Sequence, residues 1–273
     1  MLMNSHESRT PGVIFTGMWR YKPSHGAVGV LLCAGGCILI ARVLLLFFQD
    51  VDMSQEAIHE ALALFFGGGL LFYIGTTLFF SLPQSAGFLL AGGGALIAQG
   101  IVPRPTEDLD FFTSRRAGSV EAASDALIAA VTGRGWTHEL VRTGEEFRRW
   151  AITGPETVLV DLAVDSPAAS TPTVTIAGPS FAPEELAIRK TLALFGRAEP
   201  RDFVDVYVLH QTFDREETLS RAADVDRGFD LEMFAATLRT HRRIEDQDFP
   251  DVGVGIDDIR AHFDAWADEL DAR

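Results

Sequence analysis

The 273-residue sequence predicts an α/β (α+β) domain: a sheet with flanking helices and a helical C-terminal part, preceded by an apolar N-terminal segment. Three observations predict it. Short apolar runs alternate with helical patterns between Phe88 and Ile176, helical patterns alone follow Pro183, and the first 82 residues carry two long apolar stretches. At 47% hydrophobic and 22% charged residues, a disordered chain is excluded. Net charge is −15, and residues 83–273 hold 33 acidic against 19 basic groups. Such a chain has no global pull toward nucleic acid, so a nucleic-acid partner would need a local basic cleft. Cys33 and Cys37, the only cysteines, lie one helical turn apart in an apolar run, which excludes a disulfide framework or a cysteine zinc site.

The apolar stretches are residues 26–48, interrupted only by Arg42, and residues 61–80, which carry no charge. About 20 apolar residues span a bilayer core of ~30 Å. Arg9, Arg20 and Lys22 precede the first stretch, and Asp50, Asp52, Glu56 and Glu60 fill the loop between them. By the positive-inside rule this reads as a two-span membrane hairpin with the rest of the chain on the cytoplasmic side. The competing reading is a leader left by a start codon placed too early, which Gly67-Gly68-Gly69 favour by weakening the second helix. The expected division is residues 1–77 as this segment, 78–212 as the core and 213–273 as a helical acidic part.

Within the core, residues 88–91 read as a strand ending in Gly92-Gly93-Gly94 and a short helix at 95–99. A second strand covers 109–112. A helix at 120–131 has Ser119 as its cap, Glu121 in its first turn and Gly133 as its stop. Strands are expected at 139–141, 148–152, 158–164 and 174–176. Helices are expected at 183–195, 201–211, 215–223, 231–240 and 256–270. The last of these lies in a stretch, 245–271, with ten acidic residues against Arg260, and reads as a solvated tail.

The chemistry concentrates in residues 88–112, FLLAGGGALIAQGIVPRPTEDLDFF. Alternation along a strand points Asp108 and Asp110 one way and sends Leu109 and Phe111 into the core. Two adjacent carboxylates repel unless a cation lies between them, and hard oxygen ligands suit Mg²⁺ or Mn²⁺. Gly92 and Gly93 let backbone N–H groups at a helix start approach phosphate oxygens. Asp161 interrupts the apolar strand at 158–164, where an unpaired charge would be costly, and is the third candidate ligand. Lys190 is a candidate for neutralising a triphosphate, against the plainer reading of a solvated helix face with pairs such as Glu185–Arg189. Asp202 and Asp205 fit a role of holding Arg or Lys side chains in place. Arg115-Arg116, Arg148-Arg149 and Arg242-Arg243 read as surface charge or an RNA groove. His138, His210, His241 and His262 show no metal-ligand spacing.

These residues resemble a family. The stretch LLAGGGALIAQGIVPRPTEDLDFF is similar to the Gly-Gly…Asp-x-Asp signature of the nucleotidyltransferase superfamily. Arg104, Thr106, Asp108, Leu109 and Asp110 resemble the form it takes in AbiEii/AbiGii-type toxins. The stretch PEELAIRKTLALFGRAEPRDFVDVYVL is similar to that family's later motif, a Lys (Lys190) followed by Arg-Asp-x-x-Asp (Arg201, Asp202, Asp205). Gly94 departs from the pattern, which frequently has a hydroxyl residue there.

The resemblance implies a mixed nucleotidyltransferase sheet with flanking helices, and a metal-dependent transfer of a nucleoside monophosphate from an NTP to an acceptor hydroxyl. Asp108, Asp110 and Asp161 would hold the metal. Gly92, Gly93, Arg104, Thr106, Asp202 and Asp205 would form the nucleotide site, and Lys190 would stabilise departing pyrophosphate. It implies an RNA acceptor, tRNA-like, and the role of a toxin in a toxin–antitoxin or phage-defence system with an antitoxin partner. The rivals are a membrane-anchored protein whose degenerate domain only binds a nucleotide or partner, and a carboxylate-metal phosphoesterase.

Overall fold

In a computed structural model, residues 69–104, 106, 108–154 and 156–273 are described. The first apolar stretch and the start of the second lie outside them. The remainder of the second stretch forms α1 (Gly69–Phe80), and among the described residues no helix is long and apolar enough to cross a membrane. This 12-residue helix packs on a sheet. Phe79 is fully buried and stacks on Phe111 with ring centroids 4.0 Å apart, and Phe80 meets Phe111 edge-on. Leu78 and Phe79 are buried in the protein core, each contributing about 2 kcal/mol. The helix therefore crosses the division expected at 77/78.

A 3-10 turn, Pro83–Ser85, leads into β1 (Leu89–Ala91), α2 (Gly92–Ala98) and β2 (Asp108–Thr113). Then come α3 (Val120–Thr132), β3 (Thr137–Gly144), β4 (Phe147–Thr153), β5 (Thr157–Val164), β6 (Thr173–Thr175) and β7 (Gly178–Ser180). The sheet is mixed, in the order β3-β4-β5-β2-β1-β7-β6. β2 runs parallel to β5, β1 runs parallel to β7, and the other neighbours are antiparallel.

Alternation gives the sheet two unlike faces. Leu109, Phe111, Val160, Leu162 and Ile152 are buried on the face covered by α1 and α3. Trp150 lies on that face too, its indole N–H donating to Ser124 of α3 at 2.9 Å. Ser119 caps α3 as expected, accepting from the Ala122 N–H at 3.2 Å. The opposite face carries Asp108, Asp110 and Asp161. An apolar crevice bordered by Gly75, Leu127, Trp136 and Val160 opens on the α1/α3 side, away from these carboxylates.

The C-terminal helices are α4 (Pro183–Arg197), α5 (Pro200–Leu209), α6 (Arg215–Val225), α7 (Leu231–Leu238) and α8 (Ile256–Asp271). Asp214 and Asp230 cap α6 and α7 through the Glu217 and Met233 N–H groups. These helices share a second core of Leu194, Phe203, Val206, Phe234, Phe263 and Trp266. The stretch expected as a solvated tail is thus structural. Ile259, Phe263, Trp266 and Leu270 recur on one face of α8 and are buried, and its acids pair outward, Asp268 and Asp271 with Arg239 and Asp264 with Arg242. Because Leu194 and Phe203 belong to α4 and α5, this core spans the division expected at 212/213.

His210 and His262 sit against Trp266 in this second core, with ring centroids 4.5 and 6.2 Å from the indole. Neither ring nitrogen of His210 has a hydrogen-bond partner among the described residues. Burial, followed by His262 and Arg215, pushes the His210 pKa down to about 3. Burial lowers His262 and His241 as well. The unfolded chain binds a proton near pH 6.5 that the folded His210 refuses until about pH 3, so this contribution to stability is intact above 6.5 and falls across that window. The slope is at most ~1.4 kcal/mol per pH unit for one histidine. Urea midpoints for the parent and His210→Leu at pH 7.5 and 5 are expected to show a smaller acid loss in the variant. Equal losses would refute the assignment.

Candidate active site

The site begins where β1 ends. Gly92 opens α2 with φ +59°, and a Cβ there would collide with the Asp110 carboxylate. Only glycine provides both the left-handed turn and the close approach. At Gly93 a Cβ would lie 3.0 Å from Arg104 Nη2 and 3.2 Å from Thr106 Oγ1, so both side chains expected in the nucleotide site border the glycine turn. Gly94 has a structural reason. A Cβ there would stand 2.8 Å from Phe72 of α1, leaving no room for the hydroxyl residue frequent at that position. Gly92→Ala is expected to destabilise by roughly 2–4 kcal/mol, from backbone strain plus displacement of Asp110. It should also cut turnover at this site by about 10²-fold through misplacement of Asp110. Calorimetry alongside a turnover assay checks both.

Asp110 stands directly opposite Ala91 on one side and Asp161 on the other. Asp108 lies two residues earlier on the same face. Asp110 makes no hydrogen bond or ion pair among the described residues. Burial first, then Asp161, pushes its carboxyl pKa up to about 6, with Lys190 pulling the other way.

Its neighbours are held by arginines. Arg149 grips Asp161 with Nε and Nη2 donating at 2.7 and 2.6 Å, and this pairing raises the arginine's own pKa. Arg201 donates from Nη1 to Asp108 at 2.7 Å and from Nε to Glu199 at 2.7 Å. Partial burial works against its charge, but these two carboxylates outweigh it and raise its pKa. The expected convergence of three carboxylates on a metal is therefore not how the side chains stand. Among the described residues no group of three or more His, Cys, Asp or Glu side chains is gathered to hold an ion. Two guanidiniums neutralise the acids instead, because unpaired carboxylates at these positions would repel.

Behind the site lies a buried network. Arg104 donates from Nε and Nη2 to the two oxygens of Asp205 at 2.7 and 2.6 Å. Lys190 Nζ lies 2.7 Å from Asp205 and 3.4 Å from Asp202. Arg197 forks onto Asp202 at 2.7 and 2.9 Å. Burial alone would raise the Asp202 carboxyl, but Arg197 and Lys190 hold it below the usual range. Lys190, expected at the triphosphate, and Arg104, expected in the nucleotide site, both bind Asp205, while Lys190 still acts electrostatically on Asp110. Asp202 and Asp205 hold cations rather than facing a nucleotide. Arg189 binds Glu185 at 2.8 Å, the helix pair expected, and also Asp165 at 2.6 Å.

Sequence reasoning missed Arg149 by grouping it with surface pairs; Arg115 does form such a pair, with Glu146. The available signal was the strand pattern. Arg149 and Ala151 alternate with Trp150 and Ile152, which places Arg149 on the polar face next to the buried Asp161.

Comparisons with known proteins bear on the family and the fold. Residues 79–272 match the family described as nucleotidyl transferase AbiEii toxin, type IV TA system. No curated protein sequence matches the chain. Among solved structures, MenT4, a nucleotidyltransferase toxin from Mycobacterium tuberculosis, is 14% identical with a TM-score of 0.52 over 81% of this chain and 86% of its own. JHP933 from Helicobacter pylori is 16% identical with a TM-score of 0.47, over 80% and 93%. At 14% identity the likeness to MenT4 is one of fold. The family match over most of the chain identifies it as a nucleotidyltransferase belonging to the AbiEii toxin family.

Proposed function

We propose that the chain transfers a nucleoside monophosphate from an NTP to an acceptor hydroxyl at an RNA end, tRNA-like, using Mg²⁺ or Mn²⁺. We further propose that it does so as the toxin of a toxin–antitoxin or phage-defence system with an antitoxin partner. The observation that carries the reading is the direct opposition of Asp110 and Asp161 on parallel central strands beside the Gly92 turn. A partly buried carboxylate with no side-chain partner among the described residues, its pKa raised to about 6 by desolvation and a second acid, is negative charge that calls for a cation.

The donor chemistry fits a hard divalent ion, with Asp108, Asp110 and Asp161 as the residues that would hold it once Arg201 and Arg149 give way. Bound there, such an ion supplies charge neutralisation on the triphosphate. The protein's own groups do the rest. Backbone N–H groups at Gly92 and Gly93 bind phosphate oxygens. Arg201, a third exposed and bordering Asp108, is better placed than the enclosed Lys190 to meet charge on the leaving pyrophosphate. The acceptor oxygen bonds to the α-phosphorus, the bond to the bridging oxygen of the β-phosphate breaks, and a carboxylate takes the hydroxyl proton. Asp161, directly opposite Asp110, is the candidate base for that proton once Arg149 gives way.

The full chain, incubated with each labelled NTP, Mg²⁺ and total RNA, is expected to label an RNA species and release pyrophosphate. Labelling that survives Asp110→Ala refutes the reading. Nucleotide binding without turnover points to the binding-only alternative, and release of monophosphate to a phosphoesterase.

A further inference from the structure

The sheet carries a charge pattern that the carboxylates do not exhaust. Arg142 on β3 stands directly opposite Arg149 on β4, Arg149 opposite Asp161, Asp161 opposite Asp110, and Asp110 opposite Ala91. These five residues form one row across the strands and share the active-site face. Like charges directly opposite destabilise a strand pair, and Asp161 neutralises only one of the two arginines. Its fork takes Nε and Nη2 of Arg149, leaving Nη1 without a partner among the described residues on a side chain 33% exposed. Arg142 is exposed and makes no ion pair or hydrogen bond among the described residues; its guanidinium stands 5.7 Å from the ring centroid of Phe147. Two arginines opposite each other on neighbouring strands, each with spare donors, on the outer strand pair of a strongly acidic chain, form a receptor for an anion.

The position of the row indicates which anion. Strands lie ~4.8 Å apart, so Arg142 is ~14 Å from Asp110 on one side, while the Gly92 turn is one strand away on the other. In an in-line displacement the attacking and leaving oxygens lie on opposite sides of the phosphorus. With pyrophosphate leaving at the glycine turn, the acceptor enters from the arginine end. This step rests on the nucleotidyl-transfer reading above.

We propose that Arg142 and Arg149 form a clamp for a backbone phosphate of the acceptor strand. The phosphate sits between the two guanidiniums, relieves their mutual repulsion and sets how far the terminal hydroxyl reaches toward Asp161 and Asp110.

Equilibrium binding by the full chain tests it without turnover. The probes are a labelled RNA hairpin with a single-stranded 3′ tail, titrated at several salt concentrations, and separately each NTP. Arg142→Gln, at an exposed position, is expected to weaken RNA binding roughly 5-fold and to flatten the slope of log K against log salt by about 0.7, one phosphate contact. NTP affinity should not change, and Arg142→Lys should restore the salt slope. Three results overturn the clamp: equal RNA affinity and slope in parent and variant, a loss that falls on the NTP instead, or a parent chain that binds no RNA. If RNA binding discriminates as expected but no nucleotide is transferred, the function proposed above fails while the clamp stands.

Discussion

Asp110→Asn is expected to reduce nucleotidyl transfer by on the order of 10³-fold, while making the metal-free protein more stable at pH 8. The two effects have one origin. The carboxyl of Asp110 titrates near 6 in the fold against 3.8 ordinarily, because burial and Asp161 oppose its charge more than Lys190 favours it. The folded chain therefore holds this proton more tightly than the unfolded chain does. Above about pH 6 the ionised carboxylate costs folding free energy, and below 3.8 that cost is gone. Asparagine has the same shape without the charge and removes the cost, about 1–3 kcal/mol and several degrees in Tm. Calorimetry in chelator at pH 8 and near pH 4 is expected to show a stabilised variant at the first and convergence at the second. A variant less stable than the parent at pH 8 would mean that the charge is already compensated, and the physical case for a cation would fail. This titration has the opposite sign to that of His210, so the acid sensitivity of the helical core is best read against His210→Leu.

The second large effect is expected at Asp205→Ala. Asp205 is fully buried and holds two cations at once, Arg104 through both oxygens and Lys190 at 2.7 Å. Removing it takes one counter-charge from two buried cations, and deleting one member of a buried pair costs about 3–5 kcal/mol. Arg104 also borders Gly93, and Lys190 acts on Asp110, so transfer should fall with stability. By contrast, Arg197→Gln removes a side chain 45% exposed from its pair with Asp202. Lys190 remains near that carboxylate, so a cost of about 1 kcal/mol is expected. Urea unfolding of the two variants checks the ordering. If Arg197→Gln proves as costly as Asp205→Ala, the central place given to Asp205 is wrong.

Much of this site was legible before any coordinates. The alternation in the segment 108–113 placed Asp108 and Asp110 on one face and buried Leu109 and Phe111, because a strand's period of two leaves no other arrangement. The helix at 120–131 and its Ser119 cap were equally plain, since capping is a local hydrogen bond between residues close in sequence. Strand β7 was not legible. Gly178-Pro179-Ser180 has the composition of a turn and is extended because Ser180 pairs with Leu90, ninety positions away. Nor was the burial of α8 legible, since its many acids masked the Ile259, Phe263, Trp266 and Leu270 face.

Local pattern, through period and spacing, specified the α/β plan, the glycine turn and the three candidate carboxylates, because each depends on residues within a few positions of one another. Long-range pairing specified the rest. Strand order set Asp161 against Asp110 and Arg149 against Asp161, and helix packing enclosed Lys190 and Arg104 around Asp205. Phe72 took the space beside Gly94, and an apolar stretch long enough for a bilayer supplied α1 to the core instead. A charge in a sequence does not name its counter-charge. Burial makes an unpaired charge costly, so the fold must find a partner, and that partner is a neighbour only in three dimensions.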